Sequence, residues 1–444
     1  MERTLEHLKN RDQYLNQLIA FQDTEPVKVI TGIRRCGKSS LMKLMIRHLK
    51  KQGIQDSQLI IMNFESMAFH DLDAVGVYKY VAERVLPDQK MYLFFDEIQR
   101  VPDWQDAINS FRVDFNSDIY VTGSNAYLLS SELSTYLAGR YVEIKMLPLS
   151  FREFLDFNGY VVKEYETPAA VKKMRILDQD GGIYELDDLL ETYMLFGGMP
   201  GIADAGMEQD KVFTVLDGIY STIVVRDILE RERRRGQRQI TDAQLLRKII
   251  MFLADNIGSN ISLTSIGNTL VSENLLQDRA RNGKPAVQTI QAYVGALLES
   301  YVFYEIKRFD IKGKDYLKTL GKYYMVDLGL RNYLLGTRGM DSGHSLENLV
   351  YFELLRRGFD VAIGKIGTKE IDFIATRASK KKYIQVTERM EEAATKEREL
   401  GPLRMVKDNH EKIVIVRYGR SGETEDGIKI LSVFDFLLSK QPPF

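Results

Sequence analysis

Residues Val27–Lys51 read VKVITGIRRCGKSSLMKLMIRHLKK, and this stretch decides the fold. Its first five residues form a near-continuous apolar run, the pattern of a strand buried on both faces. Its second half carries Leu41, Leu44, Met45 and Leu49 at helical spacing. Between them stands GIRRCGKS, with Gly32, Gly37, Lys38 and Ser39 in a G-x-x-x-x-G-K-S pattern. Glycines let backbone N–H groups fold around phosphate oxygens where side chains would block the approach. The start of the following helix adds positive partial charge at the same place. The expectation is a loop of Gly32, Ile33, Arg34, Arg35, Cys36, Gly37, Lys38, Ser39 and Ser40 that holds the phosphates of ATP. In it Lys38 reaches the terminal phosphates and the Ser39 hydroxyl binds magnesium.

A second apolar strand, MYLFFDEI (91–98), carries Asp96 and Glu97 at its end. Two carboxylates there are costly unless a cation or an exposed site receives them. Phosphoryl transfer uses such a pair, Asp96 to support the magnesium ion and Glu97 to orient the attacking water. The strand DIYVTG (118–123) leads to Ser124 and Asn125, whose hydroxyl and amide suit the γ-phosphate or the water. Arg140, in AGR ahead of another apolar run, supplies charge to the transition state. Plain turn residues and a surface arginine are the structural alternatives.

Working outward, QLIIMNF (58–64) and YVEIKML (141–147) complete a set of apolar runs separated by helical patterns. The expected fold is α/β, a parallel sheet covered by helices on both faces. An amphipathic helix over 1–24 precedes it, and Pro26 stops that helix. The 444 residues exceed one ordinary domain. The expected divisions are an ATPase domain at 25–155, a helical connector at 156–240, a three-helix module with a basic turn at 241–335, and a second α/β domain at 340–444. The connector ends in RERRRGQRQ (231–239), where Glu230 and Glu232 interleave with the arginines and favour salt bridges on a solvated helix.

Composition narrows the classes. A net charge of −1, from 61 basic and 62 acidic residues, gives no global attraction to nucleic acid or an anionic membrane, so any such contact is a local patch. Cys36 stands alone, which excludes an internal disulfide and a cysteine metal site. The five histidines lack metal-ligand spacing. With no signal peptide and no apolar run of spanning length, a cytoplasmic protein without a membrane partner is expected.

An extra strand–helix unit (58–85) lies between the loop strand and the Asp96–Glu97 strand. With Glu97 and the polar end of the 118–123 run, it resembles the AAA+ branch of P-loop ATPases. That resemblance implies a sheet order of 5-1-4-3-2 and assemblies in which arginines act between copies. EIQRVPDWQDAI, TGSNAYLLSSELSTYLAGR, PLSFREF, YMLFGGMPG, IYSTIVVRDILER, KYYMVDLGLRN and LENLVYFELLRRG follow in order. They are similar to a group of prokaryotic AAA-type ATPases fused to a C-terminal domain of unknown function.

By the same resemblance, 241–335 looks like a winged helix, and three short helices with a two-stranded basic turn agree. The recognition-helix candidate, VQTIQAYVGALLES (287–300), is poor in basic residues, while Lys307, Arg308, Lys312, Lys314 and Lys318 gather on the wing. DNA phosphates and a protein partner are both open as its target. The C-terminal part resembles the PD-(D/E)xK nuclease-like fold through Glu347, Asp372 in KEIDFIA, and Gln385-Val386-Thr387. Such nucleases need acids on two adjacent strands and a lysine beside them. Here Gln385 and Thr387 stand at the acid and lysine positions, and Lys380–Lys382, Glu388 and Lys396 are the substitutes in sequence. The site of Glu347, Asp372 and Gln385 therefore reads as vestigial. The expected activity is magnesium-dependent ATP hydrolysis that moves the downstream domains, acting on DNA. A regulatory ATPase that binds protein and an ATP-gated nuclease are the alternatives.

Overall fold

A computed structural model describes residues 8–124, 139–166, 172–230, 240, 242–272, 287–336, 342–424 and 426–439. The apolar runs around the loop become five strands, β1 (Val27–Gly32), β2 (Leu59–Asn63), β3 (Met91–Asp96), β4 (Ser117–Thr122) and β5 (Tyr141–Met146). All neighbours pair in parallel, in the order β2-β3-β4-β1-β5. This is the 5-1-4-3-2 order that the resemblance implied. Every residue of β1 and β3 is buried, as expected of inner parallel strands. Helix α1 (Asp12–Ala20) is shorter than the 1–24 pattern, with Tyr14 and Leu18 buried. Helix α2 (Lys38–Lys51) starts directly from the loop. Between β2 and β3 lies α3 (Ala74–Ala82), and between β3 and β4 lies α4 (Trp104–Asp114). Phe95 and Phe111 stack at 5.5 Å in the core that joins α4 to the sheet.

At the opposite end of the sheet from the loop, Lys28 and Asp118 form an ion pair with no exposed side-chain surface. Lys28 also donates to Thr24 O at 2.7 Å, and Asp118 accepts from Asp23 N at 2.8 Å and from Tyr120 Oη at 2.8 Å. A buried charge pair is tolerable only with such additional partners. Here they fasten the turn that follows α1 to β1 and β4.

The chain divides into two compact units, one running to Pro148 with Glu299–Tyr301, the other formed by Leu149–Leu298 and the rest. The second unit therefore contains the segments expected as connector, three-helix module and second α/β domain. It begins with α5 (Phe151–Phe157), whose Ser150 and Glu153 form a capping box. The polar insert after it is a small antiparallel sheet, β6 (Val161–Glu166), β7 (Lys172–Leu177) and β8 (Ile183–Tyr184). Then come α6 (Leu186–Phe196), α7 (Gln209–Thr222) and a π-helical stretch, Ile223–Glu230. The arginine run 231–239 lies outside the described residues.

The order α8 (Ala243–Asp255), β9 (Asn260–Ile261), α9 (Leu263–Ser272), α10 (Val287–Glu299), β10 (Phe303–Asp310), β11 (Asp315–Met325) follows. After α11 (Leu328–Leu335) and α12 (Ser342–Arg356) come β12 (Asp360–Ile366), β13 (Lys369–Arg377), β14 (Lys380–Arg389), α13 (Ala393–Met405), β15 (Glu411–Tyr418), β16 (Gly422–Glu423), β17 (Lys429–Ser432) and α14 (Val433–Leu438). The hairpin β10–β11 does not stand apart. Arg308, Phe309 and Asp310 of β10 pair in parallel with Ile363, Gly364 and Lys365 of β12, so one nine-stranded sheet runs from β9 to β16. An unpaired β10 edge would otherwise expose a row of backbone donors and acceptors.

Two of the motifs quoted above meet here. Asp327 of VDLGLRN accepts from Gly198 N of GGMPG at 2.7 Å and caps α11 by accepting from Leu330 N at 2.9 Å. Gly329 packs so tightly that a Cβ on it would stand 1.9 Å from Phe196 O. Asn332 donates to Met194 O and Leu195 O, both at 2.9 Å. Among the described residues no helix is long and apolar enough to cross a membrane.

Candidate nucleotide site

The loop leaves the C-terminal end of β1 at Gly32, whose φ is 137° and whose missing side chain matters. A Cβ there would lie 2.1 Å from Met146 O on β5. Ile33 and Cys36 point inward and are fully buried, so the loop is fixed by its apolar members. Arg35 adopts φ 63°, outside the usual range of a residue with a Cβ. Lys38 opens α2, is 5% exposed, and donates to Gly32 O at 3.0 Å and Ile33 O at 3.1 Å. Among the described residues its hydrogen-bond partners are these two loop carbonyls, and Asp96 is near enough to feel its charge, an arrangement that suits an incoming anion.

Asp96 ends β3 and is nearly buried. Its Oδ1 accepts from Thr122 Oγ1 of β4 at 2.6 Å and its Oδ2 from Asn63 Nδ2 of β2 at 3.2 Å. Burial pushes its pKa above the ordinary value; hydrogen bonds from Thr122 and from the Ser39 hydroxyl oppose that rise. Ser39 and Asp96 are thus adjacent, and their oxygens are the donors available to a hard cation. Glu97 follows in the left-handed region at φ 56°. A side-chain-bearing residue keeps that conformation only where its surroundings over-determine it. Its N–H donates to Thr122 Oγ1 at 2.9 Å, and its Oε2 accepts from Gln99 Nε2 at 2.6 Å and Ser124 Oγ at 3.4 Å. Arg34 and Arg100 converge on Glu65 Oε1, at 2.5 and 3.0 Å.

The structure brings Lys38, Ser39, Asp96, Glu97 and Ser124 together. Asn125 lies outside the described residues. Arg140 is not brought to the loop of its own chain. Its carbonyl accepts from Val27 N at 2.9 Å, at the start of β1. Gly32 pairs with Met146 at the far end of the same strands, and five to six residues of strand at about 3.3 Å each separate the two ends by roughly 15–20 Å. Thr122, Asn63 and Gln99 were not foreseen. Nor was Arg11, 4% exposed, which donates to Cys36 O and Leu147 O at 3.0 Å each and to Pro148 O at 3.3 Å. It ties the loop backbone to the stretch that leaves β5.

Residues 24–155 match the sequence model of the AAA domain family, and residues 187–341 that of a domain of unknown function. An uncharacterized protein of Haemophilus influenzae is 39% identical over 97% of this chain and 98% of its own length. The chain belongs to the AAA-type P-loop ATPases. An uncharacterized protein of Methanocaldococcus jannaschii is 30% identical over 84% of this AAA-type chain and 77% of its own. Among solved structures, the Walker-type ATPase of Pyrococcus abyssi is similar over 73% of this chain and 95% of its own, with 16% identity and a TM-score of 0.47.

The second unit of this AAA-type ATPase holds the other expected residues. Glu347 of α12, Asp372 of β13 and Gln385 of β14 meet at a cleft of about 750 Å³. Gln385 Oε1 accepts from Asp372 N at 2.8 Å, its Nε2 donates to Glu399 Oε2 at 2.9 Å, and Asp372 Oδ2 accepts from Val386 N at 2.8 Å. Burial and the charge of Glu347 push the Asp372 pKa well up. The lysine beside these acids comes from β11. Lys322 Nζ lies 2.9 Å from Glu347 Oε1 and 2.9 Å from Glu370 Oε1. The substitutes read from the sequence go elsewhere. Lys382 pairs with Glu411, Lys381 sits 5.7 Å over the Phe309 ring, and Lys380 and Lys396 are exposed. Glu388 lines the cleft and lies 3.8 Å from Arg417. Of the hairpin bases, Lys307, Lys312 and Lys314 are exposed. Arg308 is half-buried and lies 3.9 Å from Glu370. The side chain of Lys318 lies outside the described residues.

Proposed function

We propose that this AAA-type ATPase binds ATP with magnesium, hydrolyses it at Glu97, and uses the turnover to change the conformation of its second unit. The observation that carries the reading is the pair Asp96–Glu97 at the end of β3, braced by Thr122, Asn63, Gln99 and Ser124 and adjacent to Ser39. The backbone of Gly32–Ser39 would receive the phosphates at the start of α2. Lys38 would exchange its two carbonyl partners for phosphate oxygens. Ser39 and Asp96 would hold the magnesium ion, which supplies charge to offset the phosphates during displacement. Glu97, fixed by Gln99 and Ser124, would orient the attacking water and accept its proton.

Lys38→Ala is expected to lose ATP binding in an equilibrium titration while retaining its far-ultraviolet circular dichroism. Undiminished affinity in that variant contradicts the assignment.

The target we propose is a protein partner of the second unit. The helix Val287–Glu299 carries no lysine or arginine, and Arg308 is already held near Glu370. A second reading is favoured by the exposed Lys307, Lys312 and Lys314, which suit a nucleic-acid backbone. Duplex-DNA affinity that falls steeply with salt and drops in a Lys307/Lys312/Lys314→Ala variant would select it. Salt-insensitive or absent binding selects the protein partner.

A further inference from the structure

The cleft of the nine-stranded sheet gathers several acids around a cation that belongs to the chain. Glu370 and Asp372 are two residues apart on β13, so their side chains share one face of the sheet. Glu347 comes to them from α12, and Lys322 and Tyr324, also two apart, reach the same place from β11. Lys322 is 5% exposed, with its ammonium 2.9 Å from Glu347 and 2.9 Å from Glu370. Tyr324 donates its hydroxyl to the same Oε1 of Glu347, and Arg308 lies 3.9 Å from the other oxygen of Glu370.

A magnesium ion demands oxygen ligands at about 2.0–2.1 Å in octahedral array. Here the two glutamates direct their Oε1 atoms at an ammonium. Gln385, where an acid would be needed, spends its amide bridging Asp372 N and Glu399. Among the described residues no three Asp, Glu, His or Cys side chains are arranged to hold a metal ion. The residues therefore do not fit the metal that a nuclease-like fold implies.

We infer that Lys322 is the built-in cation of this cleft, its single positive charge occupying the place that a divalent metal would need, so that the cleft takes up no magnesium or manganese and cleaves no phosphodiester. The geometry explains why a lysine from the hairpin is buried among acids from two other elements, α12 and β13. Breaking such a set by removing one partner leaves buried charge uncompensated. Taking the ammonium away should therefore both destabilise the cleft and open it to a metal. The inference stands independently of ATP hydrolysis.

The test uses the full chain, freed of nucleotide and metal and titrated with manganese, read by electron paramagnetic resonance and by melting temperature. Wild type is expected to take up no manganese that depends on Glu347. Lys322→Met is expected to melt lower, to recover with manganese, and to lose the recovery when Glu347→Gln is added. Uptake by wild type that disappears in Glu347→Gln overturns the inference, as does a folded Lys322→Met that takes up none. If Lys322→Met does not fold, the comparison of wild type with Glu347→Gln still decides. Manganese-dependent cleavage of plasmid DNA by wild type, lost in Asp372→Ala, also overturns it.

Discussion

Asp96 carries two opposed demands. In the proposed function its carboxylate holds the cation, yet burial favours the neutral acid and lifts its pKa above the ordinary 3.8. As pH rises, the unfolded chain loses this proton first, so Asp96 lowers stability progressively from about pH 4 up through its folded-state pKa. Asp96→Asn is expected to raise the melting temperature of the nucleotide-free protein at pH 7, by a margin that shrinks toward pH 4, while abolishing turnover. A lower melting temperature at pH 7 contradicts this trade of stability for function. Thr122 donates to Asp96 and accepts from Glu97 N, so Thr122→Val leaves a buried N–H unpaired and should cost about 1–3 kcal/mol in a denaturant titration. The loop residues were legible because their identities alone encode the cradle. Thr122 and Asn63 act through register: Asn63 pairs with Asp96 across β2 and β3, a neighbour relation visible only once strand order is known. Arg11 gave no signal, since its partners are backbone carbonyls far along the chain.

At the scale of elements, helices and strands beside the loop followed directly from their patterns, but the hairpin did not. Its basic turn read as a wing, and nothing in β10 alone reveals that Arg308–Asp310 will pair with β12. That pairing puts β11 and its Lys322 in the sheet that carries Asp372, about sixty residues before the Gln385–Thr387 strand in sequence. The GGMPG and VDLGLRN motifs were readable as motifs but not as one structure. Asp327 joins them and caps α11, and Asp327→Ala is expected to destabilise the protein by about 1–3 kcal/mol, through the lost cap and an unpaired Gly198 N–H. A change below about 0.5 kcal/mol in chemical denaturation would contradict that role.

Across the whole molecule, the first unit was the more legible because parallel, doubly covered strands announce themselves as apolar runs. The second combines antiparallel, parallel and hairpin pairings over long separations, which composition does not order. Arg140 belongs to this scale. It is exposed at the end of the sheet away from its own loop, and we propose that any charge it lends to hydrolysis goes to a neighbouring copy. Turnover per chain is then expected to rise with protein concentration, and Arg140→Ala to abolish that rise without loss of ATP binding. A concentration-independent rate removes the arginine from catalysis. The proposed role of Glu97 in hydrolysis, at a site built by Lys38, Ser39 and Asp96, is measured by phosphate release from Glu97→Gln under saturating magnesium and ATP. Turnover is expected to fall by about a hundredfold or more with ATP still bound; phosphate release at the wild-type rate would contradict that role.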